Sequence, residues 1–191
     1  GLKGRDIVLN EADQSFKVTG DVKFTYQDYI FDVASLYCDY GLAELAQKWL
    51  SLYEDIETQE YKELKAKILL WIGKSNESEE VLNELIDSNP YSTIYWNELA
   101  ECHFIRGEHN KSITASEYSL AINPEDEDAL LNKANALYCI GNSSEAINYY
   151  KRFQKVAIGT RKNFANITIA DIYLSQQKIE QAIQYFTKAI E

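Results

Sequence analysis

The stretch Ala129–Tyr150, ALLNKANALYCIGNSSEAINYY, decides how this sequence is read. Leu130, Ala134 and Leu137 recur at nearly helical spacing, so the first half is a helix with one apolar face. Gly141 ends it, because glycine adopts the left-handed conformation of a helix C-cap at little cost. A polar Asn142-Ser143-Ser144 turn follows, and Ala146, Ile147 and Tyr150, continued by Phe153, form a second apolar stripe. A helix pair of this kind cannot bury both stripes by itself, so it needs neighbours.

The neighbours are in the same chain. Gly41, Gly73, Gly107 and Gly141 are separated by 32, 34 and 34 residues, and Asn89-Pro90 and Asn123-Pro124 stand 34 apart. Glycine closes first helices and proline, which cannot continue a helix, closes second ones. Seven residues before each glycine stands Ala34, Ala66, Ala100 or Ala134, and five after it Ala46, Ser78, Ser112 or Ala146. Small side chains at both slots let antiparallel helices cross closely. A last segment repeats the pattern with Ala170 and Ala182, with Gln177 in place of the glycine and two residues inserted around Ile158–Lys162. Trp96, Leu99, Ala100 and His103 give the third unit its stripe, and Ile183, Phe186 and Ala189 the last second helix.

These residues resemble the tetratricopeptide repeat (TPR) family, whose large–Leu–small–aromatic, then Ala–aromatic–Ala–Pro pattern is matched by Trp96, Leu99, Ala100, Gly107, Ser112, Ser119 and Pro124. The expectation is an all-α, right-handed α-solenoid of antiparallel helix pairs, with units at about 27–58, 59–92, 93–126, 127–162 and 163–191. Departures are Lys133 where an aliphatic residue is usual, Lys62 where a large apolar one is, and no proline after units one and four. Residues 1–26 form an extension outside the pattern. Asp6–Val18 reads as an amphipathic helix capping unit one, which is preferred, and Ser15–Tyr26 alternatively as a hairpin about Gly20-Asp21. The sequence stops inside a helix with no polar cap, so either more chain follows or that end packs on another molecule.

Composition agrees and narrows function. Of 191 residues, 46% are hydrophobic and 26% charged, with 2 Pro and 8 Gly but 14 Tyr, which favours packed helices over a turn-rich β fold. The net charge of −11 is divided. Residues 151–191 hold seven basic and three acidic residues, +4, which leaves −15 on residues 1–150. An acidic chain lacks the clustered Lys and Arg that grip nucleic-acid phosphates. The end-to-end charge difference either steers partners or reflects solvated helix faces. No apolar run is long enough to span a membrane. Cys38, Cys102 and Cys139 are dispersed, as expected of reduced thiols filling gaps, and point to a cytoplasmic setting.

Catalysis has little to stand on. There is no phosphate-binding glycine loop, HExxH or nucleophile elbow. His103 occupies a core aromatic slot, and His109 falls in the turn region between helices, where solvent exposure is expected. The acidic runs Glu77–Glu80 and Glu125–Asp128 open helices, where carboxylates complement the dipole, and lack calcium-loop spacing. The sequons at Asn76, Asn110, Asn142 and Asn166 are read as coincidental. The chain is expected to be non-enzymatic, with no cofactor and no metal.

The resemblance implies recognition along a concave groove lined by first helices. Its slots would be Phe31 and Ser35, then Glu63, Lys67, Leu70 and Trp71, then Ile94, Asn97, Glu101, Phe104 and Ile105. Asp128, Leu131, Asn135, Tyr138, Ile167, Asp171 and Leu174 complete it. The Asn amides would hold an extended peptide backbone and the aromatics supply rigid contact area. With Lys67 as the one basic slot, a carboxylate clamp is not expected. Glu63, Glu101, Asp128 and Asp171 favour a protein or peptide partner with basic and apolar residues. The alternatives are a homo-oligomerisation module, with homodimerisation through an end repeat (Ile183, Phe186 and Ala189), and an accessory domain of a larger protein.

Overall fold

The local signals become helix ends in the computed structural model, which describes residues 6–10, 15–19 and 25–190. Five first helices stop the same way. The N–H of Gly41, Gly73, Gly107, Gly141 and Gln177 donates to the carbonyls of Cys38, Leu70, Phe104, Tyr138 and Leu174. The next N–H reaches one residue further back, to Tyr37, Leu69, His103, Leu137 and Tyr173. This double bond pattern needs a left-handed residue. The glycines supply it at φ between 73° and 81°, and Gln177 adopts it at φ 60° despite its side chain.

The chain divides into two compact units, Gly1–Val81 and Leu82–Glu191. The first contains β1 (Asp6–Asn10), β2 (Ser15–Thr19), α1 (Tyr26–Asp39), α2 (Ala43–Leu50) and α3 (Gln59–Trp71). The strands pair antiparallel, Asp6 opposite Thr19 and Asn10 opposite Ser15. The preferred capping helix over Asp6–Val18 is therefore replaced by a hairpin. It joins Asp6–Asn10 to Ser15–Thr19, and not strands flanking Gly20-Asp21, which lies outside the described residues. Ile7-Val8-Leu9 and Phe16-Lys17-Val18 are β-branched and aromatic enough for that outcome. α1 begins with a capping box: Thr25 Oγ1 accepts from the Asp28 N–H at 3.1 Å, and Asp28 Oδ2 accepts from the Thr25 N–H at 2.9 Å. Ala34, Cys38, Ala46, Leu50, Leu64 and Ile68 form the core of this unit.

α4 (Ser75–Ser88) crosses the division, and the second unit continues with α5 (Thr93–Ile105), α6 (His109–Ile122), α7 (Glu127–Cys139), α8 (Ser143–Val156), α9 (Gly159–Ser175) and α10 (Ile179–Ile190). Each helix of this unit from α5 onward packs on the one after it, and α5 also meets α7. Hairpin apart, the architecture is the all-α solenoid of antiparallel pairs. The small-residue slots explain the close packing: Ala34, Ala66, Ala100, Ala134 and Ala170, with Ala46, Ser78, Ser112, Ala146 and Ala182, are all essentially inaccessible to solvent. At one crossing Ser78 Oγ donates to the Ala66 carbonyl at 2.8 Å. Tyr150, Phe153, Ile169 and Ile172 are fully buried in the second core; each is worth about 1.5–3 kcal/mol of burial.

The acidic runs sit where dipole arguments put them, Glu77 in the first turn of α4 and Glu127 and Asp128 in that of α7. Cys38 and Cys102 fill buried gaps, but Cys139 at the end of α7 is exposed. Lys133 stays at its aliphatic slot, 5% exposed, because its Nζ reaches out to Glu117 Oε1 at 2.7 Å and lies 4.4 Å from the Tyr149 ring centroid.

Candidate peptide-binding groove

In the first unit, α3 places Glu63, Lys67 and Trp71 four residues apart, on one face. Lys67 Nζ bridges to Asp39 Oδ1 at 3.3 Å and lies 5.6 Å from the Trp71 ring centroid. The indole itself is about half exposed. Glu63 Oε1 accepts from Gln59 Nε2 at 2.8 Å. Two expected slots belong elsewhere. Leu70 is buried, and Phe31 packs against the core with its ring 5.3 Å from Tyr53. Ser35 is half-buried.

In the second unit a cavity of about 320 Å³ lies between α5 and the start of α7, lined by Ile94, Asn97, Glu98, Glu101, Asp126, Asp128 and Asn132 with Thr93. Four of these were expected from the sequence: Ile94, Asn97, Glu101 and Asp128. Thr93, Glu98, Asp126 and Asn132 were missed. Asp126 caps α7, its Oδ1 accepting from the Ala129 N–H at 2.9 Å and from Asn97 Nδ2 at 2.7 Å. Asn132 Nδ2 donates to the Asn97 carbonyl at 3.2 Å. These bonds fix α5 against α7 and occupy one side of the Asn97 amide. The Glu101 carboxyl is pushed above the usual carboxylate range, first by desolvation and then by the neighbouring Asp128 charge.

Two expected ligand-holding groups are committed to the scaffold. Asn135 Oδ1 accepts from the Tyr150 hydroxyl at 2.7 Å. Asp128 pairs with Arg161 of α9, whose guanidinium also meets Glu127 Oε1 at 3.0 Å. Arg161 is thus a second cation beside the expected groove, where the sequence reading counted Lys67 alone. Lys67–Asp39, Asn97–Asp126, Asp128–Arg161 and Asn97–Asn132 stand 28, 29, 33 and 35 residues apart, about one repeat, a spacing that narrows the candidate pairs without choosing among them.

Phe104 is half-buried, its ring 5.3 Å from that of His109, so His109 packs at the start of α6 and is not simply solvated. Leu131 is half-buried against the core, while Tyr138, Ile167, Asp171, Leu174, Ile94 and Ile105 are exposed. α5, α7 and α9 therefore carry exposed apolar and aromatic residues, and Ile94 among them lines the acceptor-rich hollow. His103 is buried as its slot required, its Nδ1 2.9 Å from Glu108 Oε2. Glu108 also accepts from Arg106 at 2.8 Å and pairs with Lys111 at 3.2 Å. Hydrogen bonds from Arg106, then Lys111 and His103, hold its carboxyl down at about 2.

Among the described residues no group of three or more His, Cys, Asp or Glu is placed to hold a metal ion, and no helix is long and apolar enough to cross a membrane. No curated protein matches the chain in sequence. The family model of the tetratricopeptide repeat matches residues 165–191, and that of the bacterial transcriptional activator domain matches residues 77–159. The fold is similar to the crystal structure of MamA, 21% identical over 88% of this chain and 95% of that one, with a TM-score of 0.69. It is also similar to a thermophilic TPR protein in Thermus thermophilus, 15% identical over 86% and 90% with a TM-score of 0.71. The MamA RS-1 ArsTM double mutant, 13% identical over 88% and 95%, gives the same score. Glycine-capped helix pairs spaced 32 to 34 residues apart, the repeat model matched over residues 165–191 and the shared architecture lead to one conclusion: this chain has the fold of tetratricopeptide repeat solenoids.

Proposed function

We propose that the chain is a non-catalytic scaffold or adaptor that binds a peptide or protein segment on the faces of its first helices. The observation that carries this reading is the hollow between α5 and α7. Carboxylates and Asn groups line it, and exposed Ile94, Ile105 and Tyr138 lie on the same helices. Such a surface suits an extended segment in which basic side chains alternate with aliphatic ones. Because Arg161 engages Asp128, Glu101 is the carboxylate this reading assigns to the partner's basic groups. Glu63, Lys67 and Trp71 are proposed to provide a comparable contact on α3, and Asp171 on α9. The free thiols suit a reducing, cytoplasmic setting.

A displayed peptide library panned against the intact chain tests the reading. Enriched sequences should carry Lys or Arg beside Leu, Ile or Val. Their affinity should fall at least about tenfold in Glu101→Lys and in the pair Phe104→Ala/Tyr138→Ala, with helicity unchanged. Enrichment of acidic peptides, or binding indifferent to these substitutions, refutes it.

A further inference from the structure

Aligned on the small-residue slots, the inter-repeat contact is made by the same positions each time. On the second helix they are one, four and seven residues after the small residue. On the following first helix they are five and one before it and two after. Between α8 and α9 these are Ile147, Tyr150 and Phe153 against Ala165, Ile169 and Ile172, all buried in one core. On α6 and α7 the corresponding Ser116, Ser119, Ala129, Lys133 and Ala136 are likewise buried, with Ile113 half-buried.

Two helices carry these positions open to solvent. On α10 they are Ile183, 59% exposed, Phe186, 36% exposed, and the half-buried Ala189, extended by the exposed Ile179 and Ile190. On α1 they are Tyr29, 38% exposed, the half-buried Val33 and Leu36, 55% exposed, extended by the exposed Tyr26 and Tyr40. One helix thus offers the second-helix half of a repeat contact and the other the first-helix half. α10 itself is balanced, with Glu180 and Lys188, but the chain segments around the two faces differ in charge. Residues 25–58, which contain α1 and α2, hold seven acidic residues and one basic; residues 151–191 hold seven basic and three acidic.

We propose that these two faces dock on each other between copies, α1 of one chain on α10 of another, continuing the repeat stack head to tail. The contact is heterologous, joining two different surfaces, so it propagates into chains or rings and does not stop at a symmetric dimer. The charge difference orients the approach by favouring α1 against α10 over α10 against α10. This surface is separate from the α5–α7 hollow, so one reading can fail while the other stands.

Sedimentation velocity on the full chain is the test. The average mass of the unaltered chain should pass that of a dimer and about double over roughly a hundredfold rise in concentration, and fall again in high salt. Ile183→Glu blocks one face and Leu36→Glu the other, so each variant alone should be monomeric. Mixed, they retain one good face each and should form a one-to-one dimer and nothing larger. Both positions are more than half exposed, so neither substitution opens the core; far-UV circular dichroism checks this, and the series on the unaltered chain stands without them. An unaltered chain that remains monomeric overturns the proposal. So does a Leu36→Glu variant that still dimerises, which would mean symmetric pairing through α10.

Discussion

Lys133 allows a test in which the two halves of one ion pair respond differently. Its ammonium leaves a buried aliphatic slot to meet Glu117 at 2.7 Å, over the Tyr149 ring. Glu117 itself is 55% exposed. Glu117→Gln leaves the buried ammonium with only a neutral acceptor. A charge-assisted hydrogen bond is worth about 1.5–3 kcal/mol, and the exposure of Glu117 discounts this to about 1 kcal/mol. Lys133→Met keeps a stem of similar length in the slot and strands no buried charge, since Glu117 returns to water. Its cost should be near zero, or a gain of about 1 kcal/mol. In a chain of this length about 1 kcal/mol corresponds to a Tm shift of roughly 2–4 °C. Urea and thermal melts followed by far-UV circular dichroism measure both variants.

The pH dependence sharpens the test. Burial alone would lower the Lys133 pKa, but the bonds to Glu117 and Tyr149 outweigh it and hold it above the ordinary lysine value. A group raised on folding contributes stability that is complete below its unfolded pKa, about 10.4, and is lost as pH climbs through the folded value. The unaltered chain should therefore lose this contribution above about pH 10.4, and Lys133→Met should have none to lose. A Lys133→Met variant destabilised by more than about 2 kcal/mol at pH 7, beside a harmless Glu117→Gln, would refute the assignment of the slot as an aliphatic one.

Two further outcomes are expected. Glu108, held at about 2 by Arg106, Lys111 and His103, is lowered on folding, so its contribution is present above its unfolded value and lost as pH falls toward 2. Glu108→Gln should flatten the acid limb of the stability profile, and an unchanged limb would count against that cluster. Phe153→Ala removes a fully buried ring from the second core and should cost about 3–5 kcal/mol in urea melts; a loss below about 1 kcal/mol would mean the site collapses around the gap.

How legible each feature was depended on how far apart its determinants lie. Helix ends were readable because a glycine or proline acts on its own turn, and even Gln177 was placed correctly by its position in the period. The crossing slots were readable because close helix approach accepts only small side chains. The hairpin over Asp6–Asn10 and Ser15–Thr19 was misread, since one strand-length apolar run fits a helix face as well as a strand. Leu70 and Phe31 were assigned to the groove by slot number, yet packing drew both inward.

The sequence alone determined the repeat, its period, the antiparallel pairing and the small contacts at each crossing, because these follow from backbone conformation and side-chain size within one or two turns. Tertiary structure alone decided which polar groups are free to bind. Tyr150 takes the Asn135 carbonyl oxygen, Arg161 takes Asp128 and Asp126 takes the Asn97 amide. Each pairing joins helices that local spacing does not relate, and a buried polar group takes whichever partner the packed neighbour brings within reach. The chain's periodicity therefore defines the surface, and the packing of successive helices decides which of its polar groups a partner can meet.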